Sequence, residues 1–308
     1  MISIGVIQEY IADINFADLG QNVYYIFTKQ EEKTSSSTMD SRDRRKRIIE
    51  YLGRLGDLIT EIEVLGEISI FRVATREALT DGEIAGIDHN NNSALLFDTR
   101  LIEKVVLAST AKGFKYGVDK KHQQQQSFLT PTDLKILRCL VLNPLIGIAD
   151  IANLLSVSAR TANRILNKLR DNGVVRFSII CNPRLMKGFV VFGLLIYVDN
   201  DHDRLGEQGR DKSSKSHKVL ERLYSESPDY PFLRTPIISH DNIVIVSVFG
   251  NDIFTIDSIF KKFLSFEEVK KAELYVFTRI KYYKESIVKE IDHILESRPQ
   301  FGYSNLKA

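Results

Sequence analysis

Arg160, Asn163, Arg164 and Asn167 recur at helical spacing within SARTANRILNKLRDNG. At about 100° per residue they share one side of a helix, opposite Ala162, Ile165, Leu166 and Leu169. The polar side carries Arg and Asn and no acid. An Arg fork can donate to both acceptors of a guanine edge, and an Asn amide can both donate to and accept from adenine. This set therefore suits base reading in a major groove. Ser158, Thr161 and Lys168 flank it and could hold phosphates. Between Leu129 and Arg176 there are seven Lys and Arg against three Asp, whereas the whole chain balances 42 against 40 for a net +2. Any footprint for a polyanion is therefore local.

The surrounding residues predict what positions that face. Thr130 is a good N-cap, Pro131 suits the first helical position and Asp133 suits the first turn. Leu134, Leu137 and Val141 make the apolar side of this first helix, which Asn143-Pro144 ends. Ile148, Ile151, Ala152 and Leu155 predict a short second helix. A tight turn at Ser156-Val157 follows, Ser158 caps the third helix, and Gly173 can stop it in the left-handed conformation. Three short helices with a tight second turn read as a helix-turn-helix. The alternative is a trihelical module whose basic side is merely solvated and which serves protein contact.

Outside this segment the chain is divided by DKKHQQQQS, residues 119–127, a polar stretch without periodicity that reads as a linker. The parts on either side share a pattern. Gly5-Val6-Ile7 opens a strand, NFADLG closes on Gly20, and NVYYIFTK follows; Gly173-Val174-Val175 opens a strand, CNPRLMKG closes on Gly188, and FVVFGLLIYV follows. Each copy then has a polar loop and an amphipathic helix, with Ile48, Ile49 and Leu52 matched by Val219, Leu220 and Leu223. Strand pairs follow around Leu65-Gly66-Glu67 and His240-Asp241-Asn242, and a closing helix and strand complete the second copy. Strand-helix-strand-strand-helix-strand predicts an antiparallel sheet with helices on one face, so the bare face must find cover. The expected boundaries are 1–118 for a first sensing-like domain, 119–128 for the linker, and 129–178 for a winged helix-turn-helix. A second sensing domain at 179–282 and a C-terminal amphipathic helix and tail at 283–308 complete the chain.

LSVSARTANRILNKLRDNGVV, followed by a strand and by NPRLMKG leading into FVVFGLLIYV, resembles the Lrp/AsnC regulators. The resemblance covers 129–281 and extends loosely, through the repeat, to 3–118. It implies an α+β fold, a trihelical winged helix-turn-helix between two ferredoxin-like βαββαβ domains. It implies a transcriptional regulator binding double-stranded DNA as a homodimer or larger homo-oligomer, with a small effector such as an amino acid and no cofactor. Effector contact in that family lies near the turn joining the middle strands, here Gly66 in one copy and His240 and Asp241 in the other. That family begins with its helix-turn-helix, whereas this chain starts where that motif would just have ended, as a tandem form lacking the first one would.

Two further classes stay open. One is a ligand-binding scaffold with a vestigial helix-turn-helix. The other is an enzyme like the haem-pathway decarboxylases related to the family, for which His240 and Arg279 are the available groups. A Soret band would favour the enzyme, and a gel shift surviving competitor DNA the regulator. Cys139 and Cys181 sit in apolar periodic segments, which predicts buried thiols and fits a cytoplasmic setting. The six histidines never reach metal-ligand spacing. The apolar run Phe189–Val198 is far short of the ~20 residues that span a bilayer, so no membrane partner is expected. RDRRKR at 42–47 places cations at a helix start, against the dipole; it reads as a phosphate contact or as a solvated end. His89 lies in a polar loop without a partner base. Ile287, Val288, Ile291, Ile294 and Leu295 predict an amphipathic final helix suited to packing or subunit contact.

Overall fold

A computed structural model describes residues 5–29, 41–66, 68–79, 102–109, 129–199, 218–219, 222, 237–239 and 243–297. The linker, His89, His240 and Asp241 lie outside the described residues. The glycines that bracket the repeat match in conformation, with φ of 72° and 78° at Gly5 and Gly20, and 72° and 76° at Gly173 and Gly188. Only glycine takes such angles without strain, and the same spacing separates both pairs.

The first repeat supplies β1 (Ile7–Ile14), β2 (Asn22–Lys29), α1 (Ser41–Leu55), β3 (Asp57–Val64), β4 (Ile68–Thr75) and β5 (Ile102–Ser109). Three helices follow, α2 (Pro131–Leu142), α3 (Ile148–Leu155) and α4 (Ala159–Asp171). The second repeat supplies β6 (Val175–Cys181), β7 (Val190–Val198), β8 (Ile237–Ser239), β9 (Ile243–Gly250), α5 (Ile253–Leu264) and β10 (Val269–Tyr282), and α6 (Lys284–Ser297) closes the described chain.

Strand order is β3-β4-β2-β5 in one repeat and β8-β9-β7-β10 in the other, the same split arrangement twice. The two sheets do not simply stack their bare faces. They join edge to edge, β10 to β3 and β5 to β8, and close an eight-stranded antiparallel barrel. Closure pairs the edge strands and curls both bare faces into one interior. The cover that the sequence requires is thus found within a single chain.

Side-chain alternation sorts the barrel residues into layers. Val23, Tyr25, Phe27, Ile62, Ile70, Val191, Leu195, Ile245 and Ile280 point inward and are buried. Outside, α1 sets Ile48 and Leu52 against Tyr24, Ile26, Phe71 and Val73. In the second half α5 sets Ile256, Ile259 and Phe263 against Phe192, Leu194, Val244 and Val246. The opening strands of both repeats leave the barrel and pair with each other, Tyr10 opposite Ile179 and Ile11 opposite Ser178. By the glycine alignment Tyr10 corresponds to Ser178 and Ile11 to Ile179. Each residue therefore faces its counterpart's neighbour, and a pseudo-two-fold axis passes between them.

The final helix fixes the trihelical segment to the barrel. Its Ile287 and Ile291 are fully buried, and its buried Glu290 accepts from Arg76 at 2.7 Å. On its other side Asp292 accepts from Arg138 of α2 at 2.6 Å. Ile287 and Ile291 of the α6 stripe, like the sheet faces, are buried inside the chain. Cys139 and Cys181 are free, and burial pushes both thiols up.

Gly193 lies opposite Tyr275, and a Cβ there would come within 2.7 Å of the Phe277 ring. Gly193→Ala is predicted to cost about 1–3 kcal/mol through overpacking. The urea midpoint should fall with the slope unchanged; an unchanged midpoint would mean that the ring gives way freely.

Candidate nucleic-acid interface

The base of the trihelical segment is a capping box. Thr130 N–H donates to Asp133 Oδ2 at 2.8 Å, and Asp133 N–H donates to the Thr130 hydroxyl at 3.2 Å. Two of the donors orphaned at the start of α2 are thereby satisfied. Leu134, Leu137, Leu140, Ile151, Ala152, Ala162, Ile165 and Leu169 form the core between the three helices. The turn after α3 places Ser156 at φ 53° and ψ 43°, the single non-glycine with positive φ among the described residues. Its backbone N–H caps α3 on Ala152 and Asn153. The chain then reverses within two residues, so α4 starts immediately across α3.

Ser158 caps α4, its hydroxyl accepting from Thr161 N–H at 3.1 Å and lying 2.9 Å from the Thr161 hydroxyl. Arg160, Asn163 and Arg164 are exposed side by side on the outward face. No hydrogen bond or ion pair engages their side chains among the described residues. Asn167 is half-buried, and its amide oxygen accepts from Arg170 at 3.2 Å. Ser158 and Thr161 lie at the helix start.

Lys168 is half-buried, and its Nζ donates to Asp133 Oδ2 at 2.9 Å. That carboxylate side chain is only 2% exposed, and an ammonium on a flexible stem one helix away is the cation available to neutralise it. Burial opposes the charge on Asp133, but the hydrogen bonds from Lys168 and Thr130 outweigh it and hold the carboxyl below the usual carboxylate range. The amphipathic pattern could not show this, because the partner lies on another helix.

Arg176 is a residue that the pattern of α4 missed. It is exposed on β6, the strand that leaves α4 through Gly173 and Val174, and Phe177 beside it is 46% exposed. The ribbon β1–β6 therefore stands next to α4 as a wing. Only half of this wing is local, since its other strand comes from the start of the chain.

Other positions distribute as follows. Gly66 sits in the exposed β3–β4 turn at φ 102°, next to Leu65 at 74% exposure. Arg279 pairs with Glu63 at 2.9 Å. Within RDRRKR, Arg45 is drawn into a two-pronged bond with buried Glu61, one prong at 2.6 Å, while Lys46 and Arg47 stay exposed. No helix among the described residues is long and apolar enough to cross a membrane.

Residues 129–176 match the family model for winged helix-turn-helix DNA-binding domains. This segment is a winged helix-turn-helix. No curated protein matches the chain. Among solved structures, the siroheme decarboxylase NirDL is similar over 96% of this chain and 85% of its own, at 11% identity and a TM-score of 0.49. AsnC of Escherichia coli is similar over 48% of this chain and 90% of its own, at 20% identity and a TM-score of 0.31. A transcriptional regulator of Neisseria meningitidis, solved with L-Met, is similar over 48% of this chain and 88% of its own, at 16% identity and a TM-score of 0.33.

Asp133→Ala is predicted to lower stability by about 1–2 kcal/mol, through the lost cap and the stranded Lys168. Because the folded carboxyl is depressed, its contribution is complete above the unfolded value of about 3.9 and fades as pH falls through the folded one. Urea titrations at neutral pH and near pH 3 should show the deficit shrinking in acid. A deficit independent of pH would mean that the pair contributes nothing.

Proposed function

We propose that the chain is a sequence-specific DNA-binding transcriptional regulator. The observation that carries this reading is the exposed, acid-free row Arg160, Asn163 and Arg164 on the third helix of a winged helix-turn-helix. In this reading α4 enters the major groove, and the two arginines and Asn163 meet base edges. Ser158 and Thr161 lie at the positively polarised helix start, where a phosphate is favoured. Arg176 adds a backbone contact from the wing.

One small head offers few base contacts, and a specific regulator works near ~10⁻⁸ M or tighter. Two chains on two half-sites, about 34–36 Å apart or at multiples of that spacing, supply the difference. A homodimer or larger assembly is therefore part of the proposal. With the inner barrel faces buried within one chain, its contacts lie on the outer surface. A small effector, amino acids included, would meet the exposed turn at Gly66 and its counterpart at His240 and Asp241. No catalytic residue is assigned.

Selection of bound sites from genomic fragments by the purified chain tests the reading, followed by titration at several salt concentrations. Arg164→Ala should cost about 1–3 kcal/mol on the selected site and relax its sequence. Arg176→Ala should weaken all sequences alike and lower the salt slope by about one. Failure to enrich any site, or an Arg164→Ala protein with unchanged affinity and preference, would sink it.

A further inference from the structure

Among the described residues four buried polar side-chain atoms have no hydrogen-bond partner: Gln21 Nε2, Gln21 Oε1, Thr60 Oγ1 and Arg72 Nε. All come from the first-repeat half of the barrel. Thr60 and Arg72 stand directly opposite each other on β3 and β4. Tyr25 is opposite Arg72 on β2, and Tyr282 is opposite Thr60 on β10. These four side chains therefore share one rung of the barrel wall. Gln21, also buried, immediately precedes β2. Its backbone N–H donates to Phe16 O at 3.0 Å, and the Phe16 ring lies 5.5 Å from the Arg72 guanidinium.

The matching rung of the second repeat is built differently. There Gly193 stands opposite Ser247, and the Phe277 ring lies against the glycine. The polar rung is thus a feature of one half and not a requirement of closing the barrel. Buried polar groups in folded proteins are almost always bonded, so two orphans facing each other on one rung, with Gln21 nearby through Phe16, call for a missing partner.

The chemistry of the orphans defines that partner. Arg72 Nη1 donates to Asp13 Oδ1 at 3.0 Å, while Nε–H is unused, so half of a fork suited to carboxylates is idle. Facing side chains on adjacent strands are about 5 Å apart at Cβ, which lets the Thr60 hydroxyl and Arg72 Nε–H serve one small oxyanion. The Gln21 amide offers a donor and an acceptor farther along the row.

We propose that the inward rung at Thr60 and Arg72, with Gln21, is a binding site for a small carboxylate that carries a second polar group. Arg72 Nε and the Thr60 hydroxyl donate to the carboxylate, and Gln21 meets the second group. A carboxylate here also competes with Asp13 for the guanidinium, and Asp13 belongs to the ribbon strand β1. The site is distinct from the turn at Gly66, and its test involves no DNA, so it stands or falls apart from the DNA reading.

The test is calorimetry and thermal unfolding of the full chain with L-amino acids, succinate and acetate at millimolar concentrations. At least one bifunctional carboxylate should bind and raise the Tm, and acetate should bind more weakly. Thr60→Val keeps the volume and the Arg72–Asp13 pair, so it should weaken binding about tenfold, the loss of one hydrogen bond, without lowering the unliganded Tm. Gln21→Met should erase the preference over acetate. If none of these carboxylates binds, or if both variants bind as the wild type does, ordered water alone completes the rung and the proposal is wrong.

Discussion

The antiparallel pairing of Ile7–Ile14 with Val175–Cys181 fixes where everything else sits. One strand leads into the barrel through Gly20, and the other leaves α4 through Gly173. The ribbon therefore belongs to the head and to the barrel at once. Ile11, Ala12 and Ile14 are buried on both faces of this strand, and a slip of one residue would unseat all three. Register is held by that penalty, by the Asn15 N–H bond to Val174 O at 2.9 Å, and by the Asn182 N–H bond to Val6 O at 2.8 Å. Those two bonds sit at opposite ends of the ribbon and repeat each other across its pseudo-two-fold axis.

Charge is distributed economically around this frame. Asp133, Glu61 and Glu290 are each almost wholly buried, and each takes a cation from a different element: Lys168, Arg45 and Arg76. A buried carboxylate without such a partner is strongly destabilising, so these cations are committed to the fold. Arg138 is likewise engaged with Asp292. Of the seven cations around the three helices, Lys168 and Arg138 are thus engaged with carboxylates of other helices, and Lys135, Arg160, Arg164, Arg170 and Arg176 are exposed. A charge count overstates a nucleic-acid footprint whenever part of it is spent inward.

Local signals were legible in the sequence and long-range ones were not. The Thr130–Asp133 capping box, the Ser158 cap, the Ala162–Ile165–Leu169 stripe and the stop at Gly173 each involve residues within a few positions of one another. Their chemistry needs no knowledge of the rest of the chain. The repeat was legible too, since paired glycines need matching backbone conformations. The destinations of Lys168 and Arg45 were hidden, because their partners lie on other elements with no periodic relation to them. Edge-to-edge closure was also hidden: a bare sheet face demands cover, but the pattern of apolar residues is the same whether cover comes from stacking or from curling into a barrel.

The barrel interior and the head are linked by a short series of direct contacts. Arg72 holds Asp13, and the Tyr282 hydroxyl donates to Ala12 O at 3.3 Å, so two adjacent residues of β1 are tied to two different barrel strands. Opposite them in the ribbon are Arg176 and Phe177, a few residues after α4. Burial works against the charge of Arg72, but Asp13 outweighs it, and the guanidinium stays charged. α6 clamps α2 through Asp292 and the barrel through Glu290. The head is therefore held at two points, one against the outside of the barrel and one that runs to its interior.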